Sequence, residues 1–128
     1  MIDYADFFGY DPVCCAIFDA FADAMRKLYP NAEILRQKTA LSFRDPRPFV
    51  YVSHGRGGRR RSEPKHITLS FALDMPVPDE RIRYCVQVTP HRYTHHVELR
   101  SPEEIDDQLL LWIDMAYMLK RRACAEMH

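Results

Sequence analysis

Between Ala32 and Arg100 the apolar residues recur at every second position, whereas on either side of that interval they recur at helical spacing. A period of two sends alternate side chains to opposite faces of a strand, so the interval has to build a sheet with an apolar face for the flanking helices to cover. The runs TALSF, PFVYVSH, HITLSFAL, RYCVQV and YTHHVELR are short, rich in β-branched or aromatic residues, and separated by proline, glycine or charged clusters. They predict about five strands. RDPRP and DMPVPDE read as turns or loops, because proline removes a ladder donor and fixes the chain direction.

In DPVCCAIFDAFADAMRKLYPN, Asp11 is placed to cap, Pro12 suits the first helical position, and Cys14, Ile17, Phe18, Phe21, Met25 and Leu28 form one stripe. This predicts a helix over roughly residues 12 to 29. SPEEIDDQLLLWIDMAYMLKRR carries Ser101 as cap, Pro102 in the first turn and Glu104 three after the cap, followed by a stripe of Ile105, Leu109, Trp112, Ile113, Ala116 and Leu119. Acids at its start and Lys120, Arg121 and Arg122 at its end agree with the helix dipole. The expected fold is α+β: a mainly antiparallel sheet of about five strands, flanked by an N-terminal and a C-terminal helix packed on one face.

With 128 residues, 47% of them apolar and 28% charged, the chain suits a single domain spanning residues 1–128. Eighteen basic residues balance eighteen acidic ones, so no global field draws the protein to nucleic acid or anionic lipid. The N-terminus has no basic segment followed by an apolar run, and no stretch approaches the ~18 apolar residues of a membrane span. Cys14, Cys15, Cys85 and Cys124 show neither CxxC spacing nor a paired framework. These features predict a soluble, cytoplasmic protein with no membrane contact.

HRYTHH, residues 91 to 96, holds three histidines in six positions. On a strand, Tyr93, His95, Val97 and Leu99 share one face, and Arg92, Thr94, His96 and Glu98 the other. The tandem histidines therefore cannot chelate one metal, and His91 and His95 would lie ~13 Å apart. His95 then belongs in or beside the core, and His96 on the open face; His54 and His66 have the fold to bring them near or keep them away. The same alternation assigns Leu41, Phe43, Ile67, Leu69, Phe71, Tyr84, Val86 and Val88 to the core. Lys38, Ser42, His66, Thr68, Ser70 and Gln87 join Arg92, Thr94, His96 and Glu98 on the opposite face. That face mixes hydroxyls, imidazoles and cations able to hold an anion, a polar small molecule or a polar protein surface. A solvated sheet face or a homodimer contact accounts for the same pattern.

SHGRGGRRRSEPKH, residues 53 to 66, sets Arg56, Arg59, Arg60, Arg61 and Lys65 against Glu63 alone. Such a segment can follow a phosphate backbone, although no aromatic is interleaved, the whole chain is neutral, and a solvated hairpin loop explains the same residues. It lacks the glycine-lysine-serine/threonine ending of a phosphate loop. No G-x-S-x-G elbow, H-E-x-x-H pair or D-x-D metal signature occurs, so no cofactor is implied.

TALSF, HITLSFAL, RYTHHVEL and SPEEIDDQLLLWIDMAY together resemble a bacterial domain of unknown function, the family numbered 5655. The resemblance covers roughly Glu33 to Lys120. It falls on Arg92, Tyr93, Thr94, His95 and His96, then on Glu104, Asp107, Leu109, Trp112, Ala116 and Tyr117, with Tyr93 standing where tryptophan or phenylalanine is usual. It implies an α+β fold, is compatible with an accessory binding module, and marks Arg92, Thr94, His95 and His96 as the first place to look. The N-terminal helix and the arginine loop lie largely outside its distinctive motif.

Three readings follow. The first is a non-catalytic binding or interaction module presenting Lys38, His66, Arg92, Thr94, His95 and His96 to a polar or anionic ligand or protein partner. The second is a nucleic-acid accessory domain using Arg56, Arg59, Arg60 and Arg61. The third is a small hydrolase or transferase with His96 as base, which needs a carboxylate or nucleophile within ~3 Å of the ring.

Overall fold

The computed structural model describes residues 4–55 and 65–126. After a short 3-10 turn at Ala5–Phe8 come α1 (Pro12–Leu28), β1 (Glu33–Arg36), β2 (Leu41–Arg44), β3 (Pro48–Gly55), β4 (His66–Leu73), β5 (Ile82–Thr89), β6 (Arg92–Leu99), a 3-10 turn at Pro102–Glu104, and α2 (Asp107–Glu126). The strands form one antiparallel sheet in the order β1-β2-β3-β4-β6-β5. Six strands replace the expected five. The additional one, β1, is the four-residue hairpin partner of β2, too short to show an alternating pattern of its own.

The two helices cover the middle of the sheet, α1 over β4 and α2 over β3 and β4. Cys14, Ile17, Phe18, Phe21 and Met25 of α1, with Leu109, Trp112, Ile113, Ala116 and Leu119 of α2, are buried, as are Leu41, Phe43, Val52, Ile67, Leu69, Phe71, Val97 and Leu99 of the sheet. Tyr29 joins the layers: its ring lies 5.0 Å from Phe49 and 4.5 Å from Tyr117, and its hydroxyl donates to Asp114 at 2.9 Å.

The helix starts reflect their caps. Asp11 accepts the Cys14 amide at 2.9 Å and pairs with Lys65 at 2.5 Å, tying the start of α1 to the residue before β4. At the other end the expected helix from Pro102 is interrupted. Glu104 accepts the Ser101 amide at 3.0 Å, but Pro102–Glu104 closes only a 3-10 turn, Ile105 leaves helical geometry, and α2 begins afresh with Asp106 accepting the Leu109 amide at 3.0 Å. Asp106 is also held by the Arg81 guanidinium at 2.8 Å, which fixes the cap.

Asp11 is 8% exposed, and the Lys65 hydrogen bond and the Cys14 amide lower its pKa to about 2 against burial, which raises it. A carboxyl that binds its proton more weakly when folded stabilises the fold above the ordinary value of 3.8, and loses that contribution as pH falls toward about 2. Asp11→Ala is therefore expected to cost about 1–2 kcal/mol at neutral pH, a difference that shrinks in acid; urea denaturation of both proteins at neutral and acid pH measures it.

Sheet register corrects one expectation. Tyr84 and Val86 are 61% and 51% exposed, and Val88 is 64% exposed, so none of the three is core. Ile82 pairs with Val97, but Tyr84 pairs with His96, so Arg83 is an extra residue that inverts the alternation beyond it. Tyr84 and Val86 thereby join the face of His96 and Thr94, and Gln87, opposite Tyr93, goes to the helix side. Beyond Ile82, which packs against the core, every residue of β5 is exposed.

Candidate functional site on the open sheet face

The face away from the helices carries Tyr51 and Ser53 from β3, Thr68 and Ser70 from β4, and Thr94, His96 and Glu98 from β6, because cross-strand partners share a face. Short β2 begins at Leu41, opposite Val52, which leaves the last part of β3 flanked by the β1–β2 connection. There Lys38, Thr39 and Ala40 meet Tyr51, Ser53, His54 and Ser70 around a groove of about 590 Å³, with the Phe7 ring on one wall. Its lining among the described residues holds one ammonium, three aliphatic hydroxyls, a phenol and an imidazole, and no carboxylate.

Ser70 connects the groove to the histidine strand. Its hydroxyl lies 2.8 Å from His96 Nδ1, and the Tyr84 ring stands edge-on with its centroid 6.5 Å from that imidazole. Burial lowers the His96 pKa, which keeps the ring neutral and able to accept from Ser70 at neutral pH. Ser42, which pairs with Tyr51, is 1% exposed, and its hydroxyl has no hydrogen-bond partner among the described residues.

His95 points the other way. It is fully buried, parallel to the Phe71 ring at 5.7 Å between centroids; Nδ1 donates to the Tyr93 carbonyl at 3.0 Å and Nε2 accepts the Val77 amide at 3.1 Å. These partners assign its proton to Nδ1, and burial lowers its pKa.

The family model described as a domain of unknown function, DUF5655, matches residues 6–120. The chain belongs to the DUF5655 family. No match was found among curated proteins or among solved structures. The DUF5655 match takes in α1, which carries none of the strand and helix motifs on which the resemblance in sequence rests.

Among the expected site residues, Lys38, Thr94 and His96 lie on or beside the groove face. His66 is buried at the far end of β4, its Nε2 3.7 Å from Glu98, a carboxylate that Arg100 also holds at 2.7 Å. Arg92 is directed elsewhere: its guanidinium donates to the His91 carbonyl at 2.9 Å, and the residue lines a cleft with Leu119 and Arg122 of α2. Arg56, Arg59, Arg60 and Arg61 lie outside the described residues. The groove also takes in Tyr51, Ser53, His54 and Phe7, which the sequence does not single out as site residues. The alternation of PFVYVSH carries the signal for Tyr51 and Ser53, whereas Phe7 arrives through tertiary packing alone.

Proposed function

We propose that this domain is a non-catalytic, cytoplasmic binding module that holds a polar or anionic group in the groove of the open sheet face. The groove carries the reading: Lys38 supplies a cation with no carboxylate in the described lining, the hydroxyls of Thr39, Ser53 and Ser70 supply hydrogen bonds, and Phe7 and Tyr51 offer apolar contact. A carboxylate or hydroxyl-rich group attached to a flat ring suits this lining. In thermal-shift titrations with benzoate, inorganic phosphate and glucose as probes, benzoate is expected to stabilise the native protein. Lys38→Ala should weaken that effect about tenfold, corresponding to about 1.4 kcal/mol for a charge-assisted hydrogen bond. Equal stabilisation of native protein and variant would count against the groove.

One observation favours a second reading, histidine-dependent chemistry: Ser70 stands within hydrogen-bond reach of His96. No carboxylate hydrogen-bonds to His96 among the described residues, and Glu98, on the same face, is engaged by Arg100 and Arg83. As a binding module, the protein should not be labelled by a fluorophosphonate. Labelling that disappears in Ser70→Ala and in His96→Ala would establish the second reading instead.

A further inference from the structure

A second set of cations gathers away from the groove. The start of β6 meets the last turns of α2 in a cleft of about 320 Å³ lined by Asp74, His91, Arg92, Leu119, Arg122 and Ala123. Lys120, between Leu119 and the last turns of α2, is half-buried. The charged groups acting on its ammonium are Arg92 and Arg47, both cations, and together with burial they lower its pKa. Among the described residues no carboxylate forms an ion pair with Arg92, Lys120 or Arg122. Elsewhere on the surface arginines are matched: Arg36 with Asp6, Arg81 with Asp106, Arg100 with Glu98 and Arg121 with Asp45.

A half-buried ammonium near guanidinium groups is destabilised by desolvation and by like charge, and both costs fall when a compact anion enters. We propose that this cleft binds a single phosphate group, held by Arg92 and Arg122 with Lys120 as the neighbouring charge. Arginine favours phosphate because its planar fork donates two parallel hydrogen bonds to two oxygens. Asp74 in the lining sets the limit: it repels the next phosphate of a polyanion, so the ligand is a lone phosphate, free or as a monoester, and not a nucleic-acid backbone. This site is independent of the groove reading, since Lys38 and Ser70 take no part in it.

Isothermal titration calorimetry of the full chain with inorganic phosphate and with phenyl phosphate, at constant ionic strength, tests the assignment. The titrations are made in the Lys38→Ala background, which removes the cation of the groove; saturable binding is expected there for at least one probe, weakened about tenfold or more when Arg92→Gln or Arg122→Gln is added. Stronger binding of phenyl phosphate assigns a monoester, and equal or stronger binding of inorganic phosphate assigns the free ion. Arg122 is exposed, so its variant retains the fold if Arg92→Gln does not. Absence of heat with both probes at millimolar concentration in the Lys38→Ala background overturns the proposal, as does binding there that survives Arg122→Gln; heat lost on Lys38→Ala alone belongs to the groove.

Discussion

Phe43→Ala should lower the free energy of unfolding by about 3–5 kcal/mol, the range for deleting a fully enclosed aromatic ring. Phe43 is buried within β2, with ring centroids 5.6 Å from Phe21 and 6.2 Å from Phe18, so it is a contact through which α1 holds the short end of the sheet. Truncation leaves a cavity between two rigid elements, and neither can close it without breaking the β2–β3 ladder. Urea denaturation followed by circular dichroism measures the loss. Because β2 also follows directly on the connection bearing Lys38, the same variant is expected to loosen the groove. A loss below about 1 kcal/mol would place Phe43 outside the cooperative core.

The second large effect is acid lability centred on His95. Its ring is enclosed, neutral and bonded through both nitrogens, so a proton added at Nε2 would meet the Val77 amide, another donor. Burial lowers the folded pKa below the unfolded value of 6.5, so below that value the unfolded chain binds the additional proton and gains relative to the folded one. Stability is therefore full above about pH 6.5 and declines as pH falls toward the folded pKa, with a slope of at most about 1.4 kcal/mol per pH unit for each such histidine. His96 shifts in the same direction and adds to the slope. Denaturation midpoints across this range should fall with acid in the native protein. His95→Gln should be less stable at neutral pH, because it cannot reproduce both hydrogen bonds, yet should depend less on pH. An unchanged pH dependence in that variant would remove His95 as the origin.

Much of this architecture is legible in the one-dimensional pattern, because burial on one face imposes a period and helix ends impose caps. Most of the stripes of α1 and α2, the alternation in HITLSFAL and RYTHHVEL, and the opposed directions of His95 and His96 follow from that rule and agree with register and burial, whereas Leu28, at the end of α1, is 51% exposed and Ile105 lies ahead of α2. Its failures have local physical causes. The bulge at Arg83 reverses Tyr84, Val86 and Gln87, and an alternating sequence cannot reveal where one extra residue will be inserted. The interruption before α2 escapes because Ser101, Pro102 and Glu104 make a sound helix start, while the geometry of Ile105 accompanies the anchoring of Asp106 to Arg81. The site is less legible than the fold. Strand parity gives the faces, but it does not reveal that Arg92 reaches round to α2, that His66 is enclosed beside Glu98, or that Phe7 walls a groove built from Lys38, Tyr51 and Ser70. Such placements are made by long-range packing, on which a local period is silent.

On the proposed function, the open sheet face around Lys38, Ser70 and His96 binds a polar ligand. Amide chemical-shift mapping of isotope-labelled protein against a set of small carboxylates, phosphates and sugars tests it most directly. The carboxylates are expected to shift the amides of Lys38, Thr39, Ser53, Ser70 and His96 together and saturably, and Lys38→Ala to abolish the shifts. Shifts confined to other surfaces, or none at the groove with any probe, would contradict it.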